Sequence, residues 1–168
     1  MRSSNDRIDT SITFQPVNIA VMTVSDTRRS EDDRSGDLLA SRISEDGHVL
    51  AARTIVTDDQ PKITALLAEW IDDPAIDVVV ATGGTGLTGR DVTPEAFRAV
   101  FDKEIEGFGE LFRHLSFQKI GTSTVQSRAL AGVAGGTYLF ALPGSPSGCR
   151  DGWDEILRYQ LDIRHKPC

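Results

Sequence analysis

One turn in this sequence combines the two kinds of residue that handle an anionic ligand. Thr82-Gly83-Gly84-Thr85-Gly86 is rich enough in glycine for its backbone to approach a ligand closely, and its N–H groups can cradle a phosphate. Arg90-Asp91-Val92-Thr93-Pro94-Glu95 follows. There Arg90 can pair with phosphate, Asp91 can hold a metal ion, and a helix opening at Thr93-Pro94-Glu95 points its positive end at the same space. A glycine turn alone is also a plain structural device; the charged tail favours an anion site. Gly84 to Gly89 matches G-x-G-x-x-G, but the dinucleotide reading fails. The run follows the third strand rather than the first, and the helix begins only near Pro94. The Gly-Lys-Ser/Thr of a P-loop is missing as well.

Other candidates surround that turn in the pattern of elements. Asp58 and Asp91 end successive strand–helix units, and two carboxylates there suit Mg2+ held jointly with a nucleotide's phosphates. Asp58 is alternatively a helix cap beside Asp59. Asp32-Asp33-Arg34-Ser35-Gly36 is either a solvated charge cluster with a cap or a substrate loop carrying Arg34 and Ser35. Ser127-Arg128 supplies a hydroxyl and a guanidinium to a ligand, or is a surface pair. Ser145 opens a helix and reads first as its cap. The three histidines (His48, His114 and His165) show no metal spacing, and no Ser-His-Asp or Cys-His set is suggested.

The elements that must position these residues follow from hydrophobic pattern. Val17 to Val24 is a mostly apolar run without alternation, the mark of a strand covered on both faces. A helix capped by Ser35 runs through Asp46 and closes at Gly47. His48 to Thr57 reads as a strand. A second helix starts at Asp59 or Gln60, with Pro61 in its first turn and Ile63, Leu66, Leu67, Trp70 and Ile71 on one face. Asp77 to Thr82 is the third strand. A third helix begins at Pro94 with Thr93 as its cap, and another covers Phe108 to Phe117. Arg128–Val133 and Thr137–Leu142, joined by Ala134-Gly135-Gly136, form a hairpin. A last helix spans about Ser147 to Ile163. The implied class is α/β: a three-layer α/β/α sandwich whose mainly parallel sheet gains one antiparallel strand from the hairpin. In such a sheet, ligands bind beyond the carboxyl ends of the strands. Four such ends are polar here: Thr23–Thr27 with Ser25 and Asp26, Val56–Asp59, Thr82–Gly86, and Pro143–Pro146 with Gly144 and Ser145.

Length and composition set outer bounds. The chain has 168 residues, 39% of them hydrophobic and 26% charged, so one domain with a real core is expected over residues 16–168. Residues 1–15 read as a flexible polar arm. A net charge of −7 argues against nucleic acid as a partner while leaving small anions open. No apolar run has the length of a membrane span, and the N-terminus lacks the apolar centre of a signal peptide. Cys149 and Cys168 read as free thiols of a cytoplasmic protein.

With these motifs in order, the sequence resembles the MoaB/MogA family of molybdenum cofactor biosynthesis, whose domain also forms the G domain of gephyrin-type proteins. The resemblance rests on Thr23-Val24-Ser25-Asp26-Thr27, Asp33-Arg34-Ser35-Gly36, Thr82-Gly83-Gly84-Thr85-Gly86, Arg90-Asp91-Val92-Thr93-Pro94-Glu95, Ser127-Arg128 and Leu142-Pro143-Gly144-Ser145-Pro146. It covers about Val17 to Ile163, and the segment Gly107–Val133 looks closest to the MoaB branch. It implies a homotrimer, or a hexamer of two trimers, and contact with other proteins of the pathway. It further implies Mg2+-dependent transfer of AMP from ATP to the terminal phosphate of molybdopterin. The family's two carboxylates fall on Asp58 and Asp91, as catalytic residues and metal ligands. The turn residues Gly83, Gly84, Thr85 and Gly86 would bind phosphate or nucleotide, with Ser25, Asp26, Ser35 and Ser127 in the same pocket. Arg34, Arg90, Arg128, Gly144 and Ser145 complete the substrate-binding set. There are two departures from the pattern: Gly89 stands where proline is common, and Val125-Gln126 replaces Met-Leu. A carrier that binds molybdopterin without chemistry, or a CinA-like domain acting on nucleotides or in assembly, are the alternative functions.

Overall fold

The computed structural model describes residues 8–165. β1 (Asn18–Val24), α1 (Arg34–Glu45), β2 (Val49–Val56), α2 (Gln60–Asp72) and β3 (Val78–Thr82) alternate as the pattern requires. α3 (Thr93–Val100), β4 (Lys103–Glu104) and α4 (Glu106–Ile120) follow; α4 ends at Gly121, whose φ is 60°, and a separate 3-10 segment covers Gly121–Gln126. The hairpin strands are β5 (Leu130–Ala134) and β6 (Thr137–Leu142). α5 (Pro146–Gly152) widens into a π-helical turn at Trp153–Leu157 and ends as α6 (Arg158–Gln160).

The strands form one sheet in the order β2-β1-β3-β6-β5-β4. β1 pairs in parallel with β2 and β3, and β3 with β6; β5 lies antiparallel to both β6 and β4. The hairpin therefore supplies the one reversed strand expected. Successive residues of β1 and β3 feed opposite faces. Ile19, Val21, Val78 and Val80 pack with Leu39, Phe108, Phe112 and Trp153. Ala20, Met22, Val79 and Ala81 pack with Ile63, Leu67, Trp70 and Phe97. Burial on both faces is why these strands read as unbroken apolar runs.

Four details differ from the sequence expectation. β4 escaped notice because two exposed, charged residues give no apolar alternation; its flanks pair through Asp102 N–H to Val133 and Ile105 N–H to Ala131. The cap of α1 is Asp33, not Ser35: its carboxylate accepts from Gly36 N at 3.0 Å. The last helix is not uniform, since the wider turn carries the fully buried Trp153, whose indole N–H donates to Asp46 at 2.7 Å. Of the polar arm, residues 1–7 lie outside the described residues, as does Cys168. Residues 8–15 instead run back along the other chain end, where Asp9 N–H donates to the Arg164 carbonyl at 2.7 Å and Arg164 lies over the Phe14 ring.

Candidate functional site

β1, β2, β3 and β6 run the same way, so the four polar strand ends meet at one edge of the sheet. The glycine turn is the centre of that edge. Gly83 and Gly84 have φ of 99° and 68°, in the left-handed region where a side chain is strained. Space forbids one too. A Cβ on Gly83 would lie 2.3 Å from the Val24 carbonyl oxygen, and one on Gly84 2.2 Å from Thr93 Oγ1. Gly83 N–H donates to the Leu142 carbonyl at 3.1 Å, which fastens the turn to the end of β6. Thr93 fastens it to α3, with its hydroxyl donating to Gly83 O at 2.9 Å and its N–H to Gly84 O at 3.1 Å. Thr93 is thus the first residue of α3 rather than its cap; Val92 takes the cap position without a side-chain bond.

Two carboxylates press on this turn. Asp58 Oδ1 lies 3.2 Å from where a Gly84 Cβ would be, and Asp91 Oδ2 lies 2.7 Å from the corresponding point on Gly86. The capping alternative for Asp58 falls to its neighbour, because Asp59 accepts from Lys62 N at 3.0 Å and caps α2. Asp58 N–H donates to Asp26 Oδ1 at 2.9 Å, which holds a third carboxylate close, and Arg90 Nη1 stands 3.6 Å from Asp26 Oδ2. Burial, then the charges of Asp26 and Asp91, push the Asp58 carboxyl above the usual carboxylate range. Asp91 goes the other way. Burial raises it, but bonds from the Thr88 hydroxyl and amide and from Gly86 N–H outweigh that, and it falls below its ordinary value.

On the β6 side of the turn opens a cleft of about 670 Å³. Gly84, Thr85, Gly86 and Asp91 line one wall, and Gly144, Ser145, Ser147 and Gly148 another. Phe112, Ser116, Lys119 and Ile120 of α4, with Ser123, Gln126 and Ser127, form the third. Among the described residues, Ser127 Oγ is buried there with no hydrogen-bond partner. The α4 wall was missed from sequence, although Phe112, Ser116, Lys119 and Ile120 recur at helical spacing on one face. Lys119 is paired with Asp151 across the cleft.

The structure brings together Gly84, Thr85, Gly86, Asp91, Ser127, Gly144 and Ser145 in the cleft lining, with Gly83 behind them. Ser25, Asp26, Arg34, Ser35, Asp58, Arg90 and Arg128 lie outside that lining. Ser35 is fully buried, and its hydroxyl donates to the Gly144 carbonyl at 2.8 Å, so it anchors a loop rather than lining the cleft. Arg28, which the sequence did not single out, donates to the same carbonyl at 2.9 Å. Ser25 Oγ accepts from Arg28 N at 3.1 Å and shapes its own loop, while Arg34 is exposed on the first turn of α1. Arg128 donates to the Gly86 and Asp91 carbonyls and pairs with Glu95. Ser145 caps α5, accepting from Gly148 N at 3.1 Å. Cys149 is buried under the edge; burial raises its thiol to about 11, which leaves it inert as a nucleophile at neutral pH.

Among known proteins, residues 20–163 match the MoCF_biosynth family model, described as a probable molybdopterin binding domain. Molybdenum cofactor biosynthesis protein B of Escherichia coli strain K12 is 50% identical over 155 residues, covering 92% of this chain and 91% of its own. A crystal structure of a molybdenum cofactor biosynthesis protein B superposes with a TM-score of 0.85 at 41% identity, over 88% of this chain and 92% of the other. The tungsten cofactor synthesizing protein MoaB from Pyrococcus furiosus superposes with a TM-score of 0.78 at 37% identity, over 88% of this chain and 94% of the other.

Proposed function

We propose, from the premise that this chain belongs to the molybdopterin-binding family of molybdenum cofactor biosynthesis proteins, that it adenylylates molybdopterin. In this reading the terminal phosphate oxygen of molybdopterin attacks the α-phosphorus of ATP. The bond to the β-phosphate bridging oxygen breaks, and pyrophosphate leaves. The observation that carries the reading is the pair Asp58 and Asp91 set against the two glycines of one turn beside a cleft of ligand size. Phosphoryl chemistry of this kind needs positioning and charge neutralisation rather than a covalent nucleophile. The turn amides not already given to Leu142 and Asp91 would hold phosphate oxygens, Arg90 would add positive charge at the rim, and the α4 wall would seat the organic part.

The residues present fit Mg2+. Among the described residues, no three acidic, histidine or cysteine side chains converge to hold a metal unaided. Two carboxylates suffice for Mg2+, which keeps waters and takes substrate phosphate oxygens as ligands. The crowding of negative charge at Asp58 is the kind that a dication relieves. Asp58 and Asp91 would hold it, and when bound it neutralises charge on the phosphates.

Purified protein with Mg2+-ATP and molybdopterin tests this reading. It expects adenylylated molybdopterin from the wild type and none from Asp58→Ala or Asp91→Ala. Tight pterin binding without AMP transfer would replace it with the carrier alternative. The proposal includes self-association as a trimer or hexamer. Leu111 and Tyr138, 44% and 49% exposed beside an apolar groove, are among the exposed apolar side chains available to it, and light scattering on the eluting protein reads the copy number.

A further inference from the structure

We infer that Arg128 is a positioning residue: it fixes the shape of the anion-binding turn from behind and does not touch the ligand. The inference rests on the reading of that turn as a phosphate site. Nε of Arg128 donates to the Gly86 carbonyl at 2.8 Å and one Nη donates to the Asp91 carbonyl at 2.7 Å. The other Nη pairs with the Glu95 carboxylate in the first turn of α3. Each nitrogen of the guanidinium therefore has an acceptor on the protein. A rigid planar fork cannot swing toward a ligand without abandoning all of them.

The segment between its anchor points needs such a clamp. Leu87, Thr88, Gly89 and Arg90 are all exposed, and Leu87 is 64% exposed, so the segment gains little from packing. Within it, Asp91 Oδ2 accepts from the Thr88 amide and hydroxyl, which closes a small loop, and the exposed Arg90 adds only a long contact of 3.6 Å to Asp26. Arg128 provides an attachment at both ends, Gly86 and Asp91, and these two residues line the cleft while Arg128 does not. Its neighbour Ser127 faces the cleft from the same stretch of chain. Lysine is a poor replacement, since a single ammonium cannot reach three acceptors spread along one plane.

The test compares the wild type with Arg128→Ala and Arg128→Lys. Three quantities are read: affinity for inorganic pyrophosphate in Mg2+ buffer by calorimetry, amide hydrogen exchange across residues 84–91, and thermal unfolding. Arg128→Ala is expected to weaken pyrophosphate about tenfold, the scale of a lost charge-assisted hydrogen bond. It is also expected to speed exchange at the Thr88 and Asp91 amides, and millimolar guanidinium ion is expected to restore both. Arg128→Lys should show the same two defects in milder form, and it carries the test should the alanine variant fail to fold. Weakened binding with unchanged exchange would overturn the inference by making Arg128 a ligand contact. No change in either quantity would overturn it by making the clamp dispensable. A wild type that binds no pyrophosphate, beside a variant whose turn exchanges faster, would sustain the clamp and sink the phosphate site.

Discussion

The two flanks of the glycine turn are built differently. Toward β1 and β2, polar groups are tied to one another. Asp58 N–H donates to Asp26; Asp33 gathers Thr23, Gly36 and Arg53; Ser35 and Arg28 share the Gly144 carbonyl. Toward β6 and α4 there is open volume, a wall of Phe112 and Ile120 beside the Lys119–Asp151 pair, and a buried hydroxyl with no partner among the described residues. The first flank keeps charges at fixed positions, so no reorganisation is needed when a charged ligand arrives. The second offers shape and unfilled hydrogen bonding, the properties of a pocket for an organic group. Under the proposed function the site would divide its work, with the first flank fixing charge around the turn and the second recognising the organic group.

The comparison breaks first at the turn both flanks share. Gly83→Ala forces a left-handed φ on a residue with a Cβ and drives that Cβ against the backbone at Val24, which cannot rotate away. The expected cost is about 4 kcal/mol of unfolding free energy, read by urea denaturation. A cost below about 1 kcal/mol would mean that the turn yields and the flanks are not rigidly joined.

Asp58→Asn separates stability from function on the charged flank. The Asp58 carboxyl titrates above its ordinary range in the folded protein, so the fold disfavours its ionised form and loses stability as pH rises through that range. At neutral pH the amide removes that repulsion. AMP transfer is expected to fall about a hundredfold, while the melting temperature rises by about 2 °C. A lower melting temperature would instead place Asp58 among the structural groups of its flank.

Asp33 is the opposite case on the same flank. Burial raises its carboxyl, but bonds from Thr23, Arg53 and Gly36 outweigh that and depress it below 3.8. A depressed carboxylate stabilises the fold above its unfolded value and loses that contribution as pH falls through the folded one. Asp33→Asn should therefore cost about 2 kcal/mol at neutral pH, with the difference from wild type shrinking as the pH is lowered below about 4. A pH-independent difference would assign the loss to the altered hydrogen-bonding geometry of the amide rather than to the charge, since asparagine caps a helix about as well as aspartate.

The division between flanks also explains what the sequence could reveal. β1 and β3 were legible because burial on both faces leaves Ile19–Val24 and Val78–Thr82 as mostly apolar runs without alternation, and the turn because glycine suits its φ values. Asp58 and Asp91 were legible as strand-end carboxylates. Ser35 was not, because its tie to Gly144 spans 109 positions of chain and leaves no local pattern. Arg128 was legible as a charge near the site, but not as a group turned toward the back of the loop. Of the three residues that depart from the pattern of the resemblance, Gly89 and Val125 are exposed, Val125 by 78%, while Gln126 lines the cleft. Sequence alone gives them equal weight.

The finest test lies in the open flank. Ser127 Oγ bears a desolvation penalty with nothing to offset it in the free protein. Removing it costs the fold nothing, so Ser127→Ala should leave the melting temperature unchanged or slightly raised. If the hydroxyl is held for a ligand, the same change should weaken molybdopterin binding about fivefold, the value of one neutral hydrogen bond. Calorimetry on both proteins checks the pair of effects. Unchanged affinity would show that the open flank selects by shape alone, with Phe112 and Ile120 carrying the discrimination and the hydroxyl merely stranded by the packing around it.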